Sequence, residues 1–430
     1  MTTLRITVTN DSPTGGTFLT PFWFGLHDGG FDLFDVGGTT APGLEAIAED
    51  GTFSAIVDDL LGADPEGQGG VITGAAGPIA TAETTFANID VTDPTLTPLL
   101  SLAAMVLPSN DAFVGTDDAV ALFDEAGNFL GPQTVVFAGS DVLDAGTEVN
   151  TELDAAFINQ TGPDTGIDEG GVIALHPGFN GSPANPTGEG DQIILGGTNA
   201  FGEAIDATIA DFTLPGAGIA TILIQEVEVQ QGEATADSFE IATLDGLLLV
   251  DGAGGDDSVT VGADFAALSV VRSADGFRFV EGDGDEIEIS AVESVTFDDA
   301  ALSVSGEADV GVVGLIYQIV LGREGDVGGL SFWANTVEAG LGFGQLGDLF
   351  LDSLEFAGSA GDTDDDAAFL GVLYQAALGR EADEGGLAFW QGQLENDAIT
   401  QGDVVAAFAQ SAEAQTAFAE ELAGGFLVFA

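Results

Sequence analysis

Two acidic loops hold the residues of this chain whose types and spacing are most suited to chemistry. The first runs from Pro108 to Gly115 and the second from Asp141 to Glu148, and each sets carboxylates beside loop-forming residues. Hard cations such as calcium (Ca²⁺) bind about six to eight oxygen atoms, so two such loops brought together could hold one. For the residue types alone, two solvated turns are the simpler interpretation in a chain this acidic.

The composition limits the partners of the chain. It has 72 Asp and Glu residues against 5 basic ones, all arginine, for a net charge of −67. This charge repels phosphate backbones and anionic lipid, so we expect neither a nucleic acid nor a membrane surface as partner. It attracts cations and suits a protein that meets calcium or high salt outside the cell. A salt-adapted acidic surface is the competing explanation, and composition leaves both open.

The residues needed for most enzyme mechanisms are absent or unpaired. Cysteine and lysine do not occur, and His27 and His176 lack a zinc-binding spacing or a serine elbow. Carboxylates are numerous, but no pair is singled out for glycoside hydrolysis. We therefore expect no catalytic activity, with a glycan-active hydrolase as the weakest hypothesis. The chain also lacks a run of about 18 apolar residues, so we expect no membrane span.

The elements around the loops are mostly strands. Residues 4–8 alternate apolar and polar side chains, and the aromatic run Thr17–Leu26 is also typical of a strand. Apolar spacing over Gly43–Gly62 predicts one or two short helices. Ala220–Val229 is predicted to be the last strand, so the first domain covers residues 1–229.

Several motifs in this domain occur in the order found in a known family. Trp23–Asp28, Phe31–Phe34 and the two acidic loops resemble bacterial spondin-like proteins and the spondin domain of matrix spondins and mindins, over about residues 3–229. The resemblance implies an antiparallel β-sandwich that carries calcium between the paired loops. The first loop of the family supplies one Asp and the second loop two acids four residues apart, which correspond here to Asp111, Asp144 and Glu148. This chain differs in having Ala112 in place of an aromatic residue, Glu148 in place of Asp, and no cysteines.

Residues 230–308 form a predicted β-rich connector of short strands separated by acidic turns. The predicted strands are Leu247–Val250, Ser258–Val261, Phe277–Val280, Glu286–Ile289 and Val295–Phe297. The turn Asp251–Asp257 resembles one turn of a calcium-binding nonapeptide β-roll, and a plain hairpin turn is the simpler interpretation. The connector as a whole is similar to segments of secreted repeat-in-toxin relatives.

Residues 309–430 show a helical pattern that occurs twice, over 311–358 and 368–415. Tyr317, Arg323 and Trp333 recur as Tyr374, Arg380 and Trp390. We expect the Tyr and Trp side chains to be core and each Arg to be held by an acid of its own repeat, rather than a Trp and Arg platform for carbohydrate or anions. The tandem resembles a helical domain of unassigned function in bacterial surface-layer and type I-secreted proteins.

Together these patterns predict a multidomain β + α protein: a β-sandwich, a β-rich connector and an all-α tandem repeat. The expected function is that of a secreted, calcium-binding adhesion or cell-surface protein whose partner is an extracellular glycan, a matrix or surface protein, or another copy. The alternative is a structural subunit of a surface layer or filament. The apolar tail Gly424–Ala430 resembles uncleaved type I secretion signals, and a final strand or a frayed helix end is an equally good interpretation. The N-terminus shows no signal-peptide apolar region, so we expect bacterial export through the C-terminus.

Overall fold

The computed structural model describes residues 2–163, 165–273, 276–282, 284–359, 365–396, 398–419, 422 and 424–430. The chain divides into two compact units, Met1–Val227 and Glu228–Ala430. The predicted multidomain β + α class is confirmed, because strands dominate the first unit and helices form the C-terminal part of the second.

The first unit is a sandwich-like pair of antiparallel sheets with two helices. Its strands are β1 Thr2–Asn10, β2 Phe18–Leu19, β3 Phe22–His27, β4 Gln68–Ile72, β5 Thr84–Val91, β6 Leu99–Leu107, β7 Ala112–Gly115, β8 Val120–Ala121, β9 Gln133–Ala138, β10 Leu143–Asp144, β11 Ala174–Leu175 and β12 Gly218–Gln231. Its helices are α1 Pro42–Asp50 and α2 Ser54–Ala63. In one sheet β1 lies between β5 and β12, and β9 pairs with β12; the other sheet has the order β11-β10-β7-β6-β3-β4, with β2 and β8 beside β6.

Alternation along β6 shows how the two faces of the second sheet are used. Leu100 and Leu102 face the core shared with β1 and β12, whereas Ala103 faces a second core with α1 and α2. The period-two pattern of a strand that is buried on both sides explains why β6 is apolar almost throughout. The helices predicted over Gly43–Gly62 therefore cover the outer face of this sheet.

The connector begins the second unit. Its strands are β13 Ser238–Ile241, β14 Leu247–Asp251, β15 Ser258–Val261, β16 Ser269–Arg272, β17 Gly276–Val280, β18 Glu286–Ser290, β19 Ser294–Thr296 and β20 Ala301–Ser305. Strands β13, β15 and β19 are parallel neighbours in one sheet, and β14 and β18 are parallel neighbours in another. The turn Asp251–Asp257 thus joins strands of two different sheets, and the plain hairpin interpretation of this turn is wrong.

A two-residue pattern, an acid followed by a serine, occurs at three neighbouring strands of this connector. Ser238, Ser258 and Ser294 are in register across β13, β15 and β19, and an acidic residue precedes each of them. Asp257 Oδ1 accepts from the backbone N–H of Asp237 at 2.7 Å, and Glu293 Oε2 accepts from the N–H of Asp257 at 2.6 Å. Asp257 and Glu293 therefore each satisfy a backbone donor of the neighbouring strand segment, whereas Asp237 accepts from the nearby Glu233 N–H.

The tandem repeat completes the second unit. Its helices are α3 Ala308–Ile316, α4 Val327–Glu338, α5 Phe343–Leu351, α6 Leu354–Ser359, α7 Asp366–Leu378, α8 Glu384–Glu395, α9 Gln401–Ala409 and α10 Ala412–Ala417. A π-helical turn, Tyr317–Leu321, extends α3. After α10 comes the last strand, β21 Phe426–Phe429, which pairs with β20. Helices α3 to α6 correspond in order to α7 to α10. The apolar tail is therefore a strand in this structure.

Equivalent helices of the two repeats pack directly against each other. Gly344 and Gly402 are the second residues of α5 and α9, and a Cβ built on Gly402 would lie well inside contact distance of the Gly344 carbonyl oxygen. The backbone N–H of Gly402 also donates to Asp348 Oδ1 at 2.9 Å. Only glycine permits this close crossing of the two backbones.

Candidate functional site

Pairing of two short strands brings the predicted acidic loops together. Strand β7 forms the end of the first loop, β10 lies within the second, and the two pair with Asp144 opposite Ala112. The first loop is held by Ser109, whose Oγ donates to the Val106 carbonyl at 2.7 Å and accepts from the Ala112 N–H at 3.1 Å. Asp111 is thereby fixed directly beside the second loop.

Asp111 is more deeply buried than Asp144. Its exposed fraction is 0%, and Oδ2 accepts from the backbone N–H groups of Thr147 and Glu148 at 2.9 and 3.1 Å and from Thr147 Oγ1 at 3.3 Å. Its other oxygen, Oδ1, is buried and has no hydrogen-bond partner within the described part of the chain. Burial and the nearby charge of Asp144 raise the pKa of Asp111 to about 7.

Asp144 is anchored to a short polar network. Oδ1 accepts from the Gly146 N–H at 2.7 Å, and Oδ2 accepts from the Asn150 amide at 2.5 Å. The side-chain Oδ1 of Asn150 lies 2.9 Å from His176 Nε2, and His176 Nδ1 accepts from the Gly178 N–H. These bonds place the imidazole proton on Nε2, and complete burial lowers the pKa of His176 to about 3. His176 is therefore a neutral residue that orients Asn150. Burial raises the pKa of Asp144.

Glu148 reaches the site through its backbone, while its side chain points elsewhere. Its Oε1 accepts from the Gly166 N–H at 2.9 Å, and its Oε2 accepts from the Asn110 amide at 3.3 Å. Burial raises the pKa of this carboxyl as well. Among the described residues, no group of three or more Asp, Glu or His side chains is arranged to hold a metal ion. Of the three predicted ligands, the structure couples Asp111 with Asp144 and turns the Glu148 carboxylate toward Asn110.

A further acid, Glu49, was not predicted from the sequence. It lies near the C-terminal end of α1, is 4% exposed, and its side chain is hydrogen-bonded to Thr147. Burial, with added repulsion from Glu148, Glu45 and Asp111, raises its pKa to about 8. Nothing in the spacing of α1 distinguishes Glu49 from the many exposed acids, since only the packing of α1 on the sheet brings it to Thr147.

The chemistry of the site follows from its excess of buried acceptors. Unpaired carboxylates are costly to bury, so each must hold a proton or be balanced by a cation. The donor set consists of hard oxygen atoms, as calcium prefers, and the unpartnered Oδ1 of Asp111 is a position that such an ion could fill. Asp111 and Asp144 thus fit a cation, whereas the Glu148 side chain would have to leave Asn110 and Gly166 to join them.

The other candidate residues are satisfied within the fold. His27 uses both ring nitrogens, since Nε2 lies 3.0 Å from Ser101 Oγ and Nδ1 accepts from the Gly29 N–H. In the tandem, Arg323 pairs with Glu355 and Arg380 with Glu413, each through two nitrogens. The two arginines are therefore each held by an acid of their own repeat, as expected.

The tandem tryptophans pack against the helical core. The Trp333 and Phe350 ring centroids lie 5.6 Å apart, and those of Trp390 and Phe408 lie 5.7 Å apart. Both tryptophans are partly buried against the apolar core of the tandem. Their aromatic rings thus serve packing in both repeats.

Comparison with known sequences identifies one part of the chain. No helix in the described residues has the length and apolar character needed to cross a membrane. No curated protein matches the sequence. Residues 348–418, from within α5 to just beyond α10, match the family model "Domain of unknown function (DUF4214)", so the chain carries this helical domain of unassigned function at its C-terminal end.

Proposed function

We propose that the protein is a secreted calcium-binding adhesion protein without catalytic activity, in which the first unit carries the ion and recruits an extracellular partner. The observation that supports this proposal best is the buried, unpartnered Oδ1 of Asp111 beside Asp144. Asp111 and Asp144 would hold the ion. The resemblance to the spondin domain implies Glu148 as a third ligand, whereas its contacts with Asn110 and Gly166 favour a role for its backbone alone. Bound Ca²⁺ would supply the positive charge that compensates these carboxylates, and nearby carbonyl oxygens or water would complete its ligands.

Calcium titration of the intact chain tests the site. We expect calcium to raise the melting temperature, because an ion that binds only the folded state stabilises it by mass action. Asp111→Asn and Asp144→Asn should abolish most of this rise. Asp58→Asn, at an exposed position on α2, is the matched control for loss of one charge. An equal rise in all four proteins would show that calcium acts through the general acidity of the chain.

The partner proposed for the first unit is an extracellular glycan or a matrix or surface protein. A binding screen against both classes, run with calcium and again with chelator, tests this part of the proposal. The expected result is binding that needs calcium and that Asp144→Asn removes. Binding that persists in chelator would contradict a role of the ion in recruitment.

Export is proposed to follow the type I route, on the strength of the apolar C-terminal tail. Co-expression of the full chain with a type I exporter should release it into the medium, whereas cells that lack the exporter should retain it. Retention in both strains would contradict this route.

The alternative function, a structural subunit of a surface layer or filament, is favoured by the tandem helical domain. Light scattering of the purified chain separates it from adhesion. Ordered assembly on addition of calcium would support the subunit, and a persistent monomer that binds glycans or cells would support adhesion.

A further inference from the structure

One exposed aromatic residue occurs at the same place in both helical repeats. Phe332 on α4 and Phe389 on α8 are 60% and 57% exposed. Leu349, Leu354 and Val372 are also exposed, but each corresponds to a small or buried residue in the other repeat. These counterparts are Ala407, Ala412 and Leu315. Exposure of a phenylalanine is thus retained in both repeats, although their other exposed apolar residues differ.

A glycine pair precedes each phenylalanine, Gly328-Gly329 in the first repeat and Gly385-Gly386 in the second. The two glycines of a pair have different surroundings. A Cβ on Gly329 or Gly386 would lie inside contact distance of the hydroxyl of Tyr317 or Tyr374, so the packing requires glycine there. Gly328 has no such constraint, because a Cβ there would meet only Asp326 Oδ1, at 3.3 Å, within a 4 Å radius.

The second repeat repeats this arrangement. A Cβ on Gly385 would meet only Asp383 Oδ1, also at 3.3 Å. Glycine in a helix costs stability relative to alanine. A Cβ at the first glycine of each pair would crowd only the capping carboxylate oxygen, which accepts from the N–H of the second glycine.

An exposed ring follows each of these glycines along its helix, and a capping carboxylate precedes it. A helical side chain leans toward the N-terminal end of its helix, so Phe332 lies on the face of α4 that also carries Gly328, four residues earlier. Asp326 caps the same helix end and accepts from the Gly329 N–H at 2.9 Å. We name Asp326, Gly328 and Phe332 the first slot.

The second slot consists of Asp383, Gly385 and Phe389. Asp383 accepts from the Gly386 N–H at 2.9 Å and lies 3.8 Å from Arg380, which is itself paired with Glu413. Glu384 adds another carboxylate at the start of α8. The surroundings of both slots are therefore rich in acids whose own arginines are already engaged.

Within this chain, a ring together with an acid is the usual environment of a guanidinium group. Arg323 lies 5.2 Å from the Tyr317 ring and pairs with Glu355. Arg380 has the same arrangement with Tyr374 and Glu413, and Arg272 lies 4.8 Å from the Phe277 ring. Attraction between a cation and a ring face adds to the charge pairing in such sites.

We propose that the two slots bind lysine or arginine side chains of a basic partner protein, one in each repeat. The ring accepts the cation on its face, the aspartate supplies the opposite charge, and the glycine leaves room for the side chain to lie along the helix. Charge complementarity selects this partner, because a chain of net charge −67 attracts basic proteins and repels another copy of itself. This inference goes beyond the calcium site, since both slots lie in the second unit.

The test uses the full chain in chelator and a peptide of arginines spaced by glycine and serine. A second peptide carries citrulline in place of every arginine and keeps the shape without the charge. The variant Phe332→Leu/Phe389→Leu removes both rings and leaves the net charge unchanged. Val372→Ala, at another exposed apolar position of the tandem, is the control. Fluorescence of Trp333 and Trp390 reports binding, because their ring centroids lie 4.8 and 5.0 Å from those of the two phenylalanines.

We expect the arginine peptide to bind the parent chain and the control equally, in salt of about 0.3 M, where long-range attraction is screened. The double variant should bind about fivefold or more weakly, since each ring contributes a factor of about two to five. The citrulline peptide should not bind. Equal affinity of the double variant and the parent chain, or binding of the citrulline peptide, would overturn the proposal. Use of chelator keeps this outcome separate from any failure of the calcium site.

Discussion

The backbone N–H of Glu148 donates to Oδ2 of Asp111 at 3.1 Å, while the carboxylate of the same glutamate lies against Asn110 and Gly166. Glu148 therefore positions Asp111 through its main chain, which any residue can provide. This relationship distinguishes two roles, because the resemblance to the spondin domain implied the same role, that of a calcium ligand, for Asp111 and Glu148.

The first prediction concerns those two roles. Glu148→Gln keeps the backbone bond to Asp111 and still accepts from one of its two partners, so it should retain most of the calcium-induced rise in melting temperature. Asp111→Asn should lose most of it, because the amide removes the negative charge beside Asp144. Differential scanning calorimetry with and without calcium measures both variants. A larger loss in Glu148→Gln than in Asp111→Asn would place the glutamate side chain on the ion.

The second prediction concerns the buried Glu49. Its pKa is about 8 in the folded chain against a reference value of 4.5, so between these pH values the folded state binds more protons than the unfolded state. The contribution of Glu49 to the free energy of unfolding is therefore largest at low pH and is lost as the pH rises toward 8. Glu49→Gln resembles the protonated acid, so its melting temperature should exceed that of the parent chain by a margin that grows from pH 5 to pH 8.

Melting curves in chelator measure this margin at each pH. Glu66→Gln, at an exposed position, is the control and should show no such growth. A constant difference between Glu49→Gln and the parent chain across the pH range would contradict the assignment of Glu49 as a buried acid with a raised pKa.

The third prediction compares two glycines of the tandem helices. Gly402→Ala places a methyl group against the backbone of α5, and overpacking of this kind costs about 1–3 kcal/mol. Gly371 is exposed in the middle of α7 with no atom within 4 Å of a Cβ built there, so Gly371→Ala should stabilise by about 0.5–1 kcal/mol. Urea unfolding followed by helical circular dichroism measures both variants. Equal effects of the same sign would contradict a close crossing of α5 and α9.

The fourth prediction tests the acids between connector layers. Asp257 is 1% exposed, and its Oδ1 accepts from the Asp237 N–H, while its Oδ2 is buried without a hydrogen bond to any described group. Asp257→Ala leaves the Asp237 donor unsatisfied and should cost about 1–3 kcal/mol. Asp257→Asn keeps an acceptor oxygen and removes the buried charge, so it should be at least as stable as the parent chain. Urea unfolding measures the stability of the two variants. A greater loss of unfolding free energy in Asp257→Asn than in Asp257→Ala would show that the charge itself is needed.

Local patterns in the sequence predicted five of the eight described connector strands, all except β13, β16 and β20, but not how they pair. Alternating Val identifies Ser258–Val261 and alternating Ile identifies Glu286–Ile289, which lie within β15 and β18. Parallel pairing of β13, β15 and β19 joins residues far apart in the chain, and such pairing leaves no local period. The Asp-Ser, Asp-Ser and Glu-Ser steps before these strands were the available signal, and their unequal spacing concealed the repeat.

In the acidic loops, too, the sequence predicted local features but not the contacts between distant residues. The resemblance to the spondin domain implied Asp111 and Asp144 as ligands, and pairing of β7 with β10 brings their two loops together. The direction of the Glu148 side chain depends on Asn110 and on Gly166, and that of Glu49 on the packing of α1. Both are tertiary contacts, which no spacing within one segment encodes.

The crossing of α5 and α9 has a consequence for how the helical domain can multiply along a chain. Gly344 of one repeat meets Gly402 of the other, at the same position of equivalent helices, so the contact is isologous. In each repeat, the helix surface around this glycine is already covered by the other repeat, so a further repeat could not pack there. Such a pair closes on itself instead of growing into an open superhelix, so a chain with more of these repeats should carry them in pairs.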